Sequence, residues 1–134
     1  MDVASGTLHH VELWVPDLHR ATIEWGWLLG ELGYAPLQDW PAGRSWRRGE
    51  TYIVIEQSPD MTTGEHDRRR PGLNHLAVHA GDRSRVDSLA THAPDNGWTL
   101  MFNDRHPHAG GPDHHAAYLT NTDGYEVELV ATNP

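Results

Sequence analysis

The sequence predicts an α+β fold made of two tandem βαβββ modules, and three observations predict it. The stretch LHHVELWVPD, residues 8–17, returns as LNHLAVHAGD, residues 73–82, so that His10 and His75, and likewise Asp17 and Asp82, stand 65 residues apart. Both copies alternate apolar and polar residues with the period of a half-buried strand. Each is followed by apolar residues at helical spacing and then by short strand-like runs.

In the first module, 7–57, Val11, Leu13 and Val15 alternate with His10, Glu12 and Trp14, which makes residues 8–15 a strand. Pro16 and Asp17 stop it. Leu18, Ala21, Trp25, Leu28, Leu29 and Leu32 then form one helical stripe that ends at Gly33, a residue suited to close a helix. Residues 34–40, 45–48 and 51–57 read as strands, with a turn over 41–44. Residues 58–72, rich in charge and turn formers, read as a linker whose Arg run 68–70 is solvated. The second module, 73–131, repeats the order. Residues 73–80 form a strand, and Val86, Leu89, Ala90 and Ala93 form a helical stripe broken at Pro94. Residues 98–103, 116–120 and 125–131 complete the strands. The loop DRHPHAGGPDHH, 104–115, has no counterpart in the first module. Asp17 and Asp82 each precede a helix, where a carboxylate caps free N–H groups.

Composition narrows the chemistry. A chain of 134 residues is the size of one domain, 1–134, with a core that needs no disulfide. It has no cysteine, which excludes thiol catalysis, zinc fingers and iron–sulfur clusters and leaves only nitrogen and oxygen ligands for a metal. All ten basic residues are Arg, so Schiff-base chemistry on Lys is excluded. A formal net charge of −9 argues against nucleic acid and anionic membranes as partners. No apolar run reaches membrane-spanning length and the start lacks the pattern of a signal peptide, so a soluble, cytoplasmic protein is expected.

The site follows from the strand faces. If each helix packs on one face of its own sheet, the opposite face carries His10, Glu12 and Trp14 in one module and His75, Ala77 and His79 in the other. In the last strand of each module Val54 and Glu56, and likewise Glu126 and Glu128, point the same way. Two modules side by side would form a cup-shaped, mostly antiparallel sheet with helices on the outside. That cup would gather His10, Glu56, His75 and Glu128. Two imidazoles and two carboxylates suit a divalent metal. His9 faces away from His10 and is a poor ligand. Glu126 shares the face of Glu128 as an alternative carboxylate. Trp14, mirrored by His79, is expected to wall the pocket. The His-rich loop is expected to form a lid with His114 or His115 nearest the metal.

The paired modules, the HV of LHHVEL, the His of GLNHLAV, the Glu ending YIVIE and the NTDGYEVEL ending resemble the vicinal oxygen chelate superfamily, which includes glyoxalase I, extradiol dioxygenases, and fosfomycin and bleomycin resistance proteins. The resemblance places the four metal ligands on His10, Glu56, His75 and Glu128. Where many members have Asp-Pro-Asp-Gly before the last strand, this chain has Asn121-Thr122-Asp123-Gly124, which keeps the turn and loses its proline. The resemblance implies a substrate that chelates the metal through two adjacent oxygens, with Glu128 or Glu56 as the base of a proton transfer, and Ni, Co, Zn, Mn or Mg as the ion. Two alternatives follow from the same family: an Fe(II) extradiol dioxygenase, in which Glu56 is surplus, and a bleomycin-resistance-type protein that stacks a drug on Trp and Tyr. Relatives cover their sheet edges by pairing two chains, so a homodimer is expected.

Overall fold

The computed structural model describes residues 4–132. Its chain divides into two compact units, 1–64 and 65–134, and each carries one four-stranded sheet. Unit one contains β1 (His10–Trp14), α1 (Leu18–Glu31), β2 (Ala35–Trp40), β3 (Gly43–Arg48) and β4 (Thr51–Glu56). Unit two contains β5 (Leu76–His79), α2 (Arg83–His92), a short 3-10 helix (Ala93–Asn96), β6 (Trp98–Leu100), β7 (Ala116–Asn121) and β8 (Glu126–Val130). The predicted α+β class and both βαβββ modules are present.

The two units have the same topology. Strand order is β1-β4-β3-β2 in one and β5-β8-β7-β6 in the other. In each, the first strand runs parallel to the last and the remaining pairings are antiparallel. A parallel pair needs a crossover, and the helix supplies it. Asp17 caps α1 by accepting from Arg20 N at 3.0 Å, and Asp82 caps α2 by accepting from Arg85 N at 2.9 Å. The bond from Arg85 N, with those from the Ser84 side chain and backbone, holds the Asp82 carboxyl below its usual range. Gly33 follows α1 at φ 89°, a backbone that costs a residue with Cβ and that lets its N–H reach Gly30 O at 3.1 Å.

The cores follow the predicted faces. Leu13, Val15, Trp25, Leu28, Leu29, Ile53 and Ile55 are buried in unit one, and Val86, Leu89, Trp98, Leu119, Val127 and Leu129 in unit two. Helix α1 packs on β3 and β4, and α2 on β7. Strands β5 and β6 are half the length of their patterns. β6 ends at Leu100 because Phe102 takes a left-handed backbone, φ 56°, which turns the chain out of the ladder. β5 starts only at Leu76, so Asn74 and His75 precede its ladder.

The stretch read as a linker contains the boundary between the units and is structured beyond it. His66 stacks on Tyr125 with ring centroids 4.3 Å apart and planes 6° apart, and a Cβ on Gly124 would lie 2.7 Å from His66 O. Arg68 turns inward to Glu126, while Arg69 and Arg70 are exposed.

Candidate active site around Glu128

Strand β8 puts Glu128 level with Ala77 on β5 and with Tyr118 on β7, on the face opposite the buried Val127 and Leu129. Its carboxylate is buried and engaged on both oxygens. His75 Nε2 lies 3.1 Å from Oε1, and His114 Nε2 donates to Oε2 at 2.5 Å. The Tyr118 hydroxyl also donates to it. Burial first, then the Glu128 charge and this hydrogen bond, push the Tyr118 hydroxyl up to about 12, so it stays protonated through the neutral range. Gly110 allows this cluster to close, because a Cβ there would lie 2.6 Å from His114 Cδ2 and 2.7 Å from Tyr118 Oη.

The protons on His75 can be assigned from its neighbours. Asn74 Nδ2 donates to Arg68 O at 3.0 Å, which turns Asn74 Oδ1 towards His75 Nδ1 at 2.7 Å. An amide oxygen accepts, so Nδ1 carries the proton. In a neutral ring Nε2 then presents a lone pair to the carboxylate of Glu128. Two acceptors 3.1 Å apart need a cation between them, either a proton or a metal ion. The chemistry of this donor pair therefore fits a divalent metal. Among the described residues no group of three or more His, Asp and Glu side chains is arranged to hold a metal ion by itself.

Glu126, two residues before Glu128 on β8, is 4% exposed and forms an ion pair with Arg68 Nε at 3.1 Å. That pairing commits it to structure. His115 is also directed elsewhere. It is buried and bonds Asp87 on α2 at 2.9 Å, so of the two loop histidines His114 reaches Glu128 while His115 ties the loop to the helix. His79 is exposed near the end of β5, level with Val130.

In unit one the predicted residues share the expected face at different levels. His10 is level with Tyr52, Glu12 with Val54, and Trp14 with Glu56. The His10 ring stacks on Tyr52, with centroids 4.7 Å apart and planes 4° apart, and its Nδ1 lies 2.9 Å from His9 Nδ1. Trp14 Nε1 donates to Glu12 Oε2 at 2.7 Å, which occupies Glu12 and orients the indole. Glu56 stands four residues further along than His10, about 13 Å of strand.

Sequence reasoning did not single out Tyr118 or Asn74, and it read Arg68 as solvated and His9 as facing away from His10, where the structure pairs Arg68 with Glu126 and sets His9 Nδ1 2.9 Å from His10 Nδ1. Tyr118 had a readable signal, since alternation along 116–120 places it on the face of Glu128. Its level opposite Glu128 depends on register, which alternation does not carry.

A profile of the Glyoxalase/Bleomycin resistance protein/Dioxygenase superfamily matches residues 9–118, and this chain belongs to that superfamily. The uncharacterized protein YqjT of Bacillus subtilis is 42% identical over 125 residues, covering 92% of this chain and 98% of that one. A provisionally assigned glyoxalase of Bacillus halodurans is 44% identical with a TM-score of 0.90, covering 95% of this chain and 96% of that one. The fold is shared more distantly by the fosfomycin resistance protein FosX of Listeria monocytogenes, at 19% identity and a TM-score of 0.67, covering 96% of this chain and 91% of that one. That structure is a complex with Mn(II) and a dihydroxypropylphosphonic acid.

Proposed function

We propose that this chain is a divalent-metal-dependent enzyme acting on a small substrate with two adjacent oxygens, and that it transfers a proton in a lyase- or isomerase-type reaction. The observation that carries this reading is the pair of facing acceptors, His75 Nε2 and Glu128 Oε1. His75 and Glu128 would hold the ion, and the family resemblance adds His10. The resemblance also implies Glu56 as a fourth ligand or near neighbour. A bound Ni, Co, Zn, Mn, Mg or Fe(II) ion supplies Lewis acidity towards the paired substrate oxygens.

The chain's own residues supply the rest. Glu128 is the base that takes the substrate proton, and His114, hydrogen-bonded to its other oxygen, passes that proton to solvent. Tyr118, protonated at neutral pH, turns its single hydroxyl proton from Glu128, once that carboxylate has taken the substrate proton, to the oxygen on which negative charge develops. Glu12, Trp14, Val54 and His79 would wall the substrate pocket expected from the strand faces. The family precedent for paired chains supports a homodimer, which light scattering at twice the chain mass would verify.

One observation favours a second reading. With a single carboxylate in the cluster, and with His114 and Tyr118 beside it, the donor set also suits an Fe(II) extradiol dioxygenase, in which those two residues move protons on a catechol. Metal analysis of protein purified without chelator, with oxygen uptake on catechols, separates the two. The proton-transfer reading expects turnover without oxygen consumption and loss of at least about 10² in rate for Glu128→Gln. Metal-free protein that binds aromatic ligands equally well before and after Glu128→Gln would overturn both in favour of a drug-binding role.

A further inference from the structure

The repeat that places His10 and His75 also places a residue before each of them, and the two predecessors differ in kind. His9 precedes His10, and Asn74 precedes His75. Both nevertheless contact the same atom. His9 Nδ1 lies 2.9 Å from His10 Nδ1, and Asn74 Oδ1 lies 2.7 Å from His75 Nδ1. Alternation along a strand would send neighbouring side chains to opposite faces. Here it does not, because β5 begins after Asn74 and His75, and His9 lies before β1. The chain is not yet pleated at these positions, and the predecessor's side chain can turn beside the histidine.

We infer that His9 and Asn74 are positioning residues that occupy Nδ1 of the following histidine and so make Nε2 the nitrogen each unit offers. The inference deepens the metal reading and rests on it for the identity of the cation and for His10 as a ligand. Asn74 is itself held, since its amide nitrogen donates to Arg68 O at 3.0 Å and Arg68 is anchored by the buried Glu126. The orientation of the His75 ring is thus transmitted from Glu126 through Arg68 and Asn74. The His10 ring has a second constraint in its stack on Tyr52. Outer partners of this kind fix the tautomer and direction of a histidine, and their loss costs about 10- to 100-fold in metal affinity.

The test uses the full chain and two readouts. The first is the proton position on His75, read from imidazole nitrogen shifts in metal-free Glu128→Ala protein at about pH 9, above the ordinary imidazole value. That background removes the carboxylate that competes for the ring proton. The proton is expected on Nδ1, and on Nε2 once Asn74→Ala is added. The second readout is Zn(II) affinity with native Glu128. Asn74→Ala should weaken it about 10- to 100-fold, and Asn74→Asp, which keeps an acceptor oxygen, should restore most of it. At the other copy His9→Ala should weaken it, and His9→Asn, which installs the partner the second copy uses, should restore it. An Nε2 proton in the Glu128→Ala background, or equal affinity in Asn74→Ala and wild type, would overturn the inference. If wild type binds no Zn(II) while the proton sits on Nδ1 as expected, the metal reading falls and the positioning role of Asn74 stands.

Discussion

Val54 and Glu128 hold the same place in their two units. Val54 is level with Glu12 and Glu128 with Ala77, and Glu12 and Ala77 are themselves related by the 65-residue repeat. The repeat thus supplies one carboxylate at that place. Glu56 lies one strand period beyond it, level with Trp14.

The two glutamates should therefore respond differently to the same change. Glu128→Gln removes the negative charge that faces His75 Nε2 and accepts from His114 and Tyr118, and should lower metal content and reduce turnover by about 10² or more. Glu56→Gln should leave metal content at the wild-type level. Elemental analysis of the two variants checks this, and equal loss in both would return Glu56 to the ligand set.

This contrast marks how far the sequence could be read. Alternation assigns each residue to a face, and His10, Glu12 and Trp14 share one face of β1 and Val54 and Glu56 one face of β4, while His75 precedes the pleat of β5. Alternation does not assign a level along the strand, because every second residue satisfies it equally. Glu56 is found level with Trp14, a height that alternation could not give. The loop histidines show another limit of local pattern. Whichever of His114 and His115 meets Glu128 is set by the phase in which the loop enters β7, and His115 Nε2 on Asp87 fixes that phase from the helix side. Arg68 reads as solvated because its partner, Glu126, lies 58 positions away in the chain.

Tyr118 gives a prediction in pH. Its hydroxyl is raised from the ordinary value of 10.0 to about 12, so the folded state holds this proton more tightly than the unfolded state. The sign follows: the contribution to stability is complete below about pH 10, and it falls as pH rises from about 10 to 12. Denaturant unfolding across that range should show a downward slope that is smaller in Tyr118→Phe. Tyr34 and Tyr125, also raised by burial, contribute their own slope to both proteins, so the difference between the two is the readout.

Gly110→Ala tests the closure of the loop on Glu128. The added methyl would meet His114 Cδ2 at 2.6 Å and Tyr118 Oη at 2.7 Å, so both side chains must give way. Gly110 is exposed and lies in a turn outside the strands and helices. Activity or metal affinity should fall about tenfold or more, with thermal unfolding shifted by no more than about 2 °C. A large drop in stability with unchanged affinity would place the role of Gly110 in folding.

The Arg68–Glu126 pair separates structure from site. Glu126 has a side chain only 3% exposed, and Arg68, at 30%, is its charge partner at 3.1 Å. Removing the guanidinium leaves a buried carboxylate without its counter-charge, a larger penalty than the net worth of the pair. Because Arg68 is partly solvated, water recovers part of that penalty, and Arg68→Ala should cost about 1–3 kcal/mol. Glu126→Gln in the Arg68→Ala background removes the stranded charge and should recover more than half of the loss. Urea unfolding of the two single variants and the double variant measures the coupling between them. If the two losses simply add, the pair does no more than any surface contact, and the segment 65–72 is held by the His66 stack on Tyr125 instead.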